Sequence, residues 1–438
     1  MMEGRAHFVA IGLIAVVGIN LPVGPGMAWA GTPSQPVYKP AYEYPVLDEI
    51  ENAREALQVE RDSLQRLVDQ RYEDETERER VERQSLRLDW SAIDKPANPD
   101  AFDAAFHFPP VPQYSSGTCW AFCSTSFFES EVYRVTGRKI KLSEMWTVYW
   151  EYVEKARRFV REYGHSNLSQ GSQDHATREI YRQYGAVPTE AYPGILKDDE
   201  RFDHNPLSAE FRSYLHWIKE NNYWNEQKVV TYVRSVLDDH MGAPPEEFQF
   251  EGHTYTPRSF LSSVLKLNMD DYVNIVSTIK EPFGEWILFD VHDNWRRLED
   301  YLNLPLDDFY SVIKSAVTSG YTVSICGDVS EPGLDGMEDA AVIPTWDIPP
   351  EYIDQSSREY RIEYGITGDD HGVHAVGFLR HNGRDWFLVK DSNRSSRLGK
   401  FKGYYFYDGD YIRLKMLAGM VHKDRLEIPE GSHNRESQ

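Results

Sequence analysis

Gln113-Tyr-Ser-Ser-Gly-Thr-Cys119-Trp-Ala-Phe122 is the stretch on which the reading of this chain turns. Ser-Ser-Gly-Thr has the composition of a turn, and Trp-Ala-Phe opens an apolar helical run, so Cys119 stands where turn passes into helix. A thiol at a helix N-terminus faces unpaired backbone N–H groups and the positive end of the helix dipole, and both favour the nucleophilic thiolate. Gln113, six positions upstream, adds a primary amide able to donate a hydrogen bond near the same point. A cysteine in an apolar stretch is ordinarily an inert core residue. The Gln-x5-Cys-Trp-Ala-Phe context shifts the reading toward a nucleophile.

The chain has 438 residues, enough for two or three subdomains. Its hydrophobic content of 41 % and aromatic content of 13 % exclude global disorder. A formal net charge of −23 argues against nucleic acid or an anionic lipid surface as the main partner. Near the start, Arg5 precedes an apolar run from Phe8 to Ile19, and Ala28-Trp-Ala30 follows. This pattern reads as a signal peptide over residues 1–30, cleaved after Ala30, and predicts export to a periplasmic or extracellular space without a membrane partner after cleavage. An uncleaved anchor is the alternative. Three cysteines, Cys119, Cys123 and Cys326, leave at least one free thiol. The sequence does not decide whether Cys123 and Cys326 pair.

A spacer and a charged helical arm or pro-segment occupy residues 31–95. The helix is expected from about Asp48 to Arg87, with Val46, Ile50, Ala53, Leu57, Leu64 and Leu67 at three- and four-residue spacing. The prolines of Asp94-Lys-Pro-Ala-Asn-Pro-Asp100 mark a boundary. The main domain is placed at 96–430, with a helical insertion at about 198–316 and a polar tail at 431–438. Ser143 is a candidate N-cap for a helix carrying Trp146, Tyr149, Trp150 and Val153 on one face. Alternating strands are expected at about 320–416, including Arg361 to Gly365 and Tyr411 to Met416.

A thiolate nucleophile needs a partner that takes its proton and later gives one to the leaving amine. The chain has 14 histidines. His374 to His381 and Arg384 to Lys390 read as a hairpin around Asn382-Gly383, a pair suited to a two-residue type I′ turn. Counting outward from that turn sets His374 opposite Asp391, with Cβ atoms ~5 Å apart. A bulge or a one-residue slip would break this register. His371, in the turn-like Gly368-Asp-Asp-His-Gly, is the nearest competitor. Reading Asp369, Asp370, His371 and His374 as metal ligands fails on spacing, so no metal and no cofactor are expected.

These residues resemble the papain-like cysteine peptidases, within them the bleomycin hydrolase/aminopeptidase C branch. The resemblance runs from Pro110 to Met416. It rests on Gln113-Tyr-Ser-Ser-Gly-Thr-Cys-Trp, Leu142-Ser-Glu, Gln183-Tyr-Gly-Ala-Val-Pro, Tyr255-Thr-Pro, Cys326-Gly-Asp-Val and His374-Ala-Val. It implies an α+β, two-lobed papain-like fold: a helical lobe carrying the cysteine, a β-barrel-like lobe carrying His and Asp, and a helical insertion.

By the same resemblance Cys119 is the nucleophile and His374 the acid/base. Gln113 and the Cys119 N–H form the oxyanion hole, and Gly171 and Ser172 bind substrate backbone. A peptide or protein would be the substrate, hydrolysed in aminopeptidase fashion, and a homo-oligomer is consistent with the branch. Two departures stand out: Asp391 replaces the family's orienting asparagine, and Asn393 replaces its shielding tryptophan, which exposes the His–Asp contact to water. Ser172 in place of glycine would restrict substrate approach. These departures also motivate an alternative, a catalytically silent papain-like binding or scaffold protein.

Overall fold

The computed structural model describes residues 44–82, 86–166, 168–196 and 201–426. The expected signal peptide and the polar tail lie outside the described residues. Two compact units divide at Gln84–Ser85. Among the described residues the first contains one long helix, α1 (Pro45–Glu82), whose apolar residues Val46, Ile50, Leu57, Leu64 and Leu67 are all exposed.

The second unit contains the expected α+β architecture. Its helical part begins with α2 (Cys119–Thr136), which ends where Gly137 takes a left-handed conformation and donates its N–H to Tyr133 O. Helix α3 (Glu144–Arg161) starts at Ser143, whose hydroxyl accepts the Trp146 N–H at 3.0 Å. Helices α4 (His175–Tyr184), α5 (Asn205–Glu220) and α6 (Glu226–Met241) follow. Their apolar faces close one core around Phe127, Tyr149, Val153, Ile180 and Val233. Burial of such side chains contributes ~1.5–3 kcal/mol each.

A large mixed sheet forms the other part. Its main strands are β1 (Tyr272–Val276), β2 (Tyr301–Asn303), β3 (Val323–Gly327), β4 (His371–His381), β5 (Arg384–Lys390), β6 (Tyr404–Asp408) and β7 (Met416–His422). They lie side by side in the order β2-β1-β7-β3-β4-β5-β6. Helix α7 (Leu306–Thr318) packs against this sheet through Phe309 and Ile313.

Three sequence expectations change here. The stretch expected as a strand at Arg361 to Gly365 belongs to α8 (Gln355–Glu363), started by an Asp354–Ser357 capping box. The expected strand from Tyr411 to Met416 is helix α9 (Gly409–Lys415), and the strand begins at Met416. The insertion at 198–316 is not purely helical, because β1 and β2 lie within it and extend the sheet.

The hairpin is present, with Asn382 and Gly383 both at positive φ (45° and 83°), as a type I′ turn requires. Its register holds from His381↔Arg384 to Gly377↔Leu388 and then shifts, pairing Ala375 with Val389 and His374 with Lys390. Val376 is the extra residue. Its carbonyl accepts the Ala105 N–H at 2.9 Å, where the edge strand Asp103–Ala104 joins β4. Gly377 permits that approach, since a side chain there would meet Ala104 and the Asp103 carbonyl. The bulge therefore removes His374 from the position opposite Asp391.

Candidate active site

Cys119 is the first residue of α2 and half-buried. The N-cap, Thr118, does not cap the helix with its side chain; its hydroxyl pairs instead with Ser116 Oγ at 2.7 Å. Thr118 O accepts the Ala121 N–H at 2.9 Å and the Phe122 N–H at 3.3 Å, which leaves the Cys119 and Trp120 N–H groups at the positive end of the helix. Helix α2 lies close over β4 because Gly372 has no side chain; a Cβ there would meet Cys123 Sγ. Cys123 and Cys326 are buried, free thiols.

The histidine brought to this point is His371. Its Nε2 lies 2.8 Å from Asp391 Oδ1, with His371 and Asp391 side chains only 4 % and 1 % exposed. Burial opposes a charged ring, yet the Asp391 carboxylate and the Cys119 sulfur together hold the His371 pKa well above the usual histidine range. Asp391 Oδ1 also accepts the Asn393 N–H at 2.7 Å. The turn before His371 is fixed by Asp370, whose N–H reaches Gly327 O and whose carboxylate accepts the Val329 N–H at 2.9 Å.

The assignment of His374 is corrected. It is fully buried, and its Nδ1 lies 2.8 Å from Ser126 Oγ, which also accepts from Lys390 Nζ at 2.7 Å. Burial, the Lys390 ammonium and His107 push its pKa well below the ordinary value. A neutral, enclosed imidazole beside a cation, with no contact to Cys119 or Asp391, has none of the geometry that proton transfer requires. The expectation that loss of the tryptophan exposes the His–Asp contact is also overturned, since the His371–Asp391 pair is enclosed without it.

Gln113 is buried beside the turn that precedes α2. Its Nε2 donates to Ser116 O at 2.6 Å, and its Oε1 accepts from Ser392 Oγ at 2.7 Å. A primary amide has two donor hydrogens, so one remains for an incoming oxygen. Gly171 and Ser172 lie on an irregular segment before α4 that is tied to the start of α2. The Gly117 N–H donates to Gln170 Oε1 at 2.6 Å and Trp120 Nε1 to Gln170 O at 2.9 Å. The Ser172 hydroxyl turns inward to Glu151 Oε1 at 2.6 Å, so its side chain does not obstruct the backbone as expected. Asp369 pairs with Gln173, and Asp370 with Val329, so the four residues considered as metal ligands do not converge.

A model of the Peptidase C1-like family matches residues 97–426. The chain belongs to that family. In this family of peptidases, Aminopeptidase G of Lactobacillus delbrueckii subsp. lactis is 21 % identical over 361 residues, spanning 72 % of this chain and 80 % of that protein. The crystal structure of PepW from Lactobacillus rhamnosis HN001 superposes with a TM-score of 0.59 at 18 % identity, covering 75 % of this chain and 83 % of the other. The family fold is therefore the papain-like one, with α2 facing β4 across the site.

Sequence reasoning held His371 only as the competitor of His374. The chain carries the triplet His-small-Val twice in succession, His371-Gly-Val and His374-Ala-Val. The usable signal was Gly372, a residue without a side chain where helix and strand meet.

Proposed function

We propose that this chain is a cysteine peptidase of aminopeptidase type, exported from the cell, in which Cys119 and His371 carry the chemistry. The observation that supports this reading is the single imidazole facing both the Asp391 carboxylate and the Cys119 sulfur. In the first half-reaction the Cys119 sulfur attacks the scissile carbonyl carbon and forms a C–S bond. The oxygen takes up negative charge against the Gln113 amide and the Cys119 N–H. The C–N bond then breaks, and His371 gives its proton to the departing amine. Water next attacks the thioester, His371 accepts the water proton, and the acid product leaves with the thiolate restored. Asp391 keeps the ring oriented and favours its charged form.

The test combines thiol labelling with product analysis. Iodoacetamide should modify Cys119 at mildly acidic pH, and labelling should stop hydrolysis of a mixed peptide library. Products should appear as residues released from the amino end. Undiminished hydrolysis by Cys119→Ala would refute the assignment.

A further inference from the structure

We propose that the Asp293 carboxylate binds the α-ammonium of the substrate, so that a free amino terminus is the group selected at the end of the cleft. The proposal rests on the peptidase reading of the same site and names what fixes the position of the cut.

Asp293 lies directly against the segment assigned to substrate backbone. A Cβ at Gly171 would fall within its carboxylate group, so the carboxylate occupies the space over Gly171 that a side chain would otherwise fill. Gly171 is one residue, ~3.8 Å of chain, beyond Gln170, whose two hydrogen bonds reach Gly117 and Trp120 on either side of the nucleophile. The carboxylate therefore lies over the residue that follows Gln170 and its two contacts with the start of α2. A peptide laid along Gly171 meets the Asp293 carboxylate, and one whose first residue lies there presents its amine to it.

The segment carrying Asp293 is held in place by the same residues that hold Ser172. Trp295 Nε1 donates to Glu151 Oε1 at 2.5 Å and lies 3.2 Å from Ser172 Oγ, and Arg296 pairs with Glu151. Asn294 Nδ2 donates to Phe289 O at 2.8 Å, closing the turn. Glu151 thus positions both the Gly171–Ser172 segment and the segment carrying the carboxylate, which favours a preformed site over an adaptable one.

Local charge favours a cation. Asp293 is about one-third exposed, and a second carboxyl, Asp369, two residues before His371, is close enough to feel its charge. The cations nearby are already engaged. Lys155 Nζ donates to the carbonyls of Ser169 and Gly171, Arg158 bonds Glu162 at 2.6 Å, and Arg297 bonds Asp290 at 3.0 Å. His292, the neighbour of Asp293 at 3.1 Å, is a largely exposed ring. An ammonium arriving at Asp293 would form charge-assisted hydrogen bonds in a partly enclosed site.

The experiment uses the full chain carrying Cys119→Ala and measures peptide binding by calorimetry, independent of turnover. Ala-Ala-Phe amide is compared with its N-acetyl form, on that protein and on a second one with Asp293→Asn added. The expected result is at least tenfold tighter binding of the free amine, reduced to near parity by Asp293→Asn, with unchanged circular dichroism. Equal binding of both peptides, no binding of the free peptide, or a preference that survives Asp293→Asn would overturn the proposal. Recovery of tight binding by an N-acetyl peptide bearing a lysine side chain would also overturn it, by assigning the carboxylate to side-chain selection. Hydrolysis by the parent protein tests the peptidase reading separately, and its absence would leave the binding preference standing.

Discussion

His371 Nε2 and Asp391 Oδ1 stand 2.8 Å apart, and both groups are withdrawn from water. The partner of that ring on the other side is Cys119, whereas His374 faces Ser126 and Lys390. The two histidines, three residues apart, therefore predict opposite outcomes. His371→Ala should lower kcat by about 10^3-fold or more, the contribution expected of a positioned acid/base. His374→Asn, which keeps a polar group beside Ser126, should change kcat by no more than about threefold. Peptide hydrolysis rates for the two variants, with folding checked by circular dichroism, decide the matter; a reversed order would restore His374.

Asp391 should set the alkaline edge of activity. Its carboxylate favours the charged ring and raises the His371 pKa well above the usual histidine range. Asp391→Asn removes that charge while keeping a hydrogen-bonding group. The alkaline limb of kcat/KM should then move to lower pH. An unmoved limb would mean that another group governs it.

The legible parts of this molecule were those written in local chemistry. Cys119 at a helix start, Ser143 as a cap and Asn382-Gly383 as a type I′ turn all follow from properties of a few neighbouring residues. What escaped was decided by distant chain. The bulge at Val376 exists because the Asp103–Ala104 edge, more than 270 residues earlier, needs the Val376 carbonyl and the space over Gly377. That single extra residue moves Lys390 into the place expected for Asp391. Likewise, Ser172 looked obstructive beside a substrate backbone until Glu151 on α3 supplied an inward partner for its hydroxyl. Helix α9 escaped because Tyr411, Ile412 and Leu414 are all buried, an apolar run that periodicity reads as readily for a strand.

Ser392 should matter to the oxyanion site through Gln113. Its hydroxyl donates to Gln113 Oε1 at 2.7 Å, fixing which face of the amide carries the donors. Gln113→Ala should cost about 10^2-fold in kcat, the size seen when one donor to an oxyanion is removed. Ser392→Ala leaves the amide in place but free to rotate and should cost less, about tenfold, with KM little changed. A larger loss for Ser392→Ala than for Gln113→Ala would exclude this order of action.

Asp174 predicts a pH dependence of stability that is independent of catalysis. The residue is fully buried at the start of α4, with the His175 N–H and the Ser324 hydroxyl as the hydrogen-bonding groups beside its carboxylate. Burial raises its pKa from 3.8 to about 7, against the pull of Arg178. Arg178 is itself engaged by Asp300 and Glu179, so it does not depend on Asp174 for a partner. A folded-state pKa above the unfolded one means that the folded protein binds the proton more tightly between those values. Its contribution is therefore favourable below about pH 4 and is lost as pH rises toward about 7. Asp174→Asn removes the ionisation and keeps the shape. The variant should be the more stable protein at pH 8, with a denaturation midpoint raised by a few degrees, and the gain should shrink at pH 5. A parent that outlasts the variant at pH 8 would show that the charge is stabilised in the fold after all.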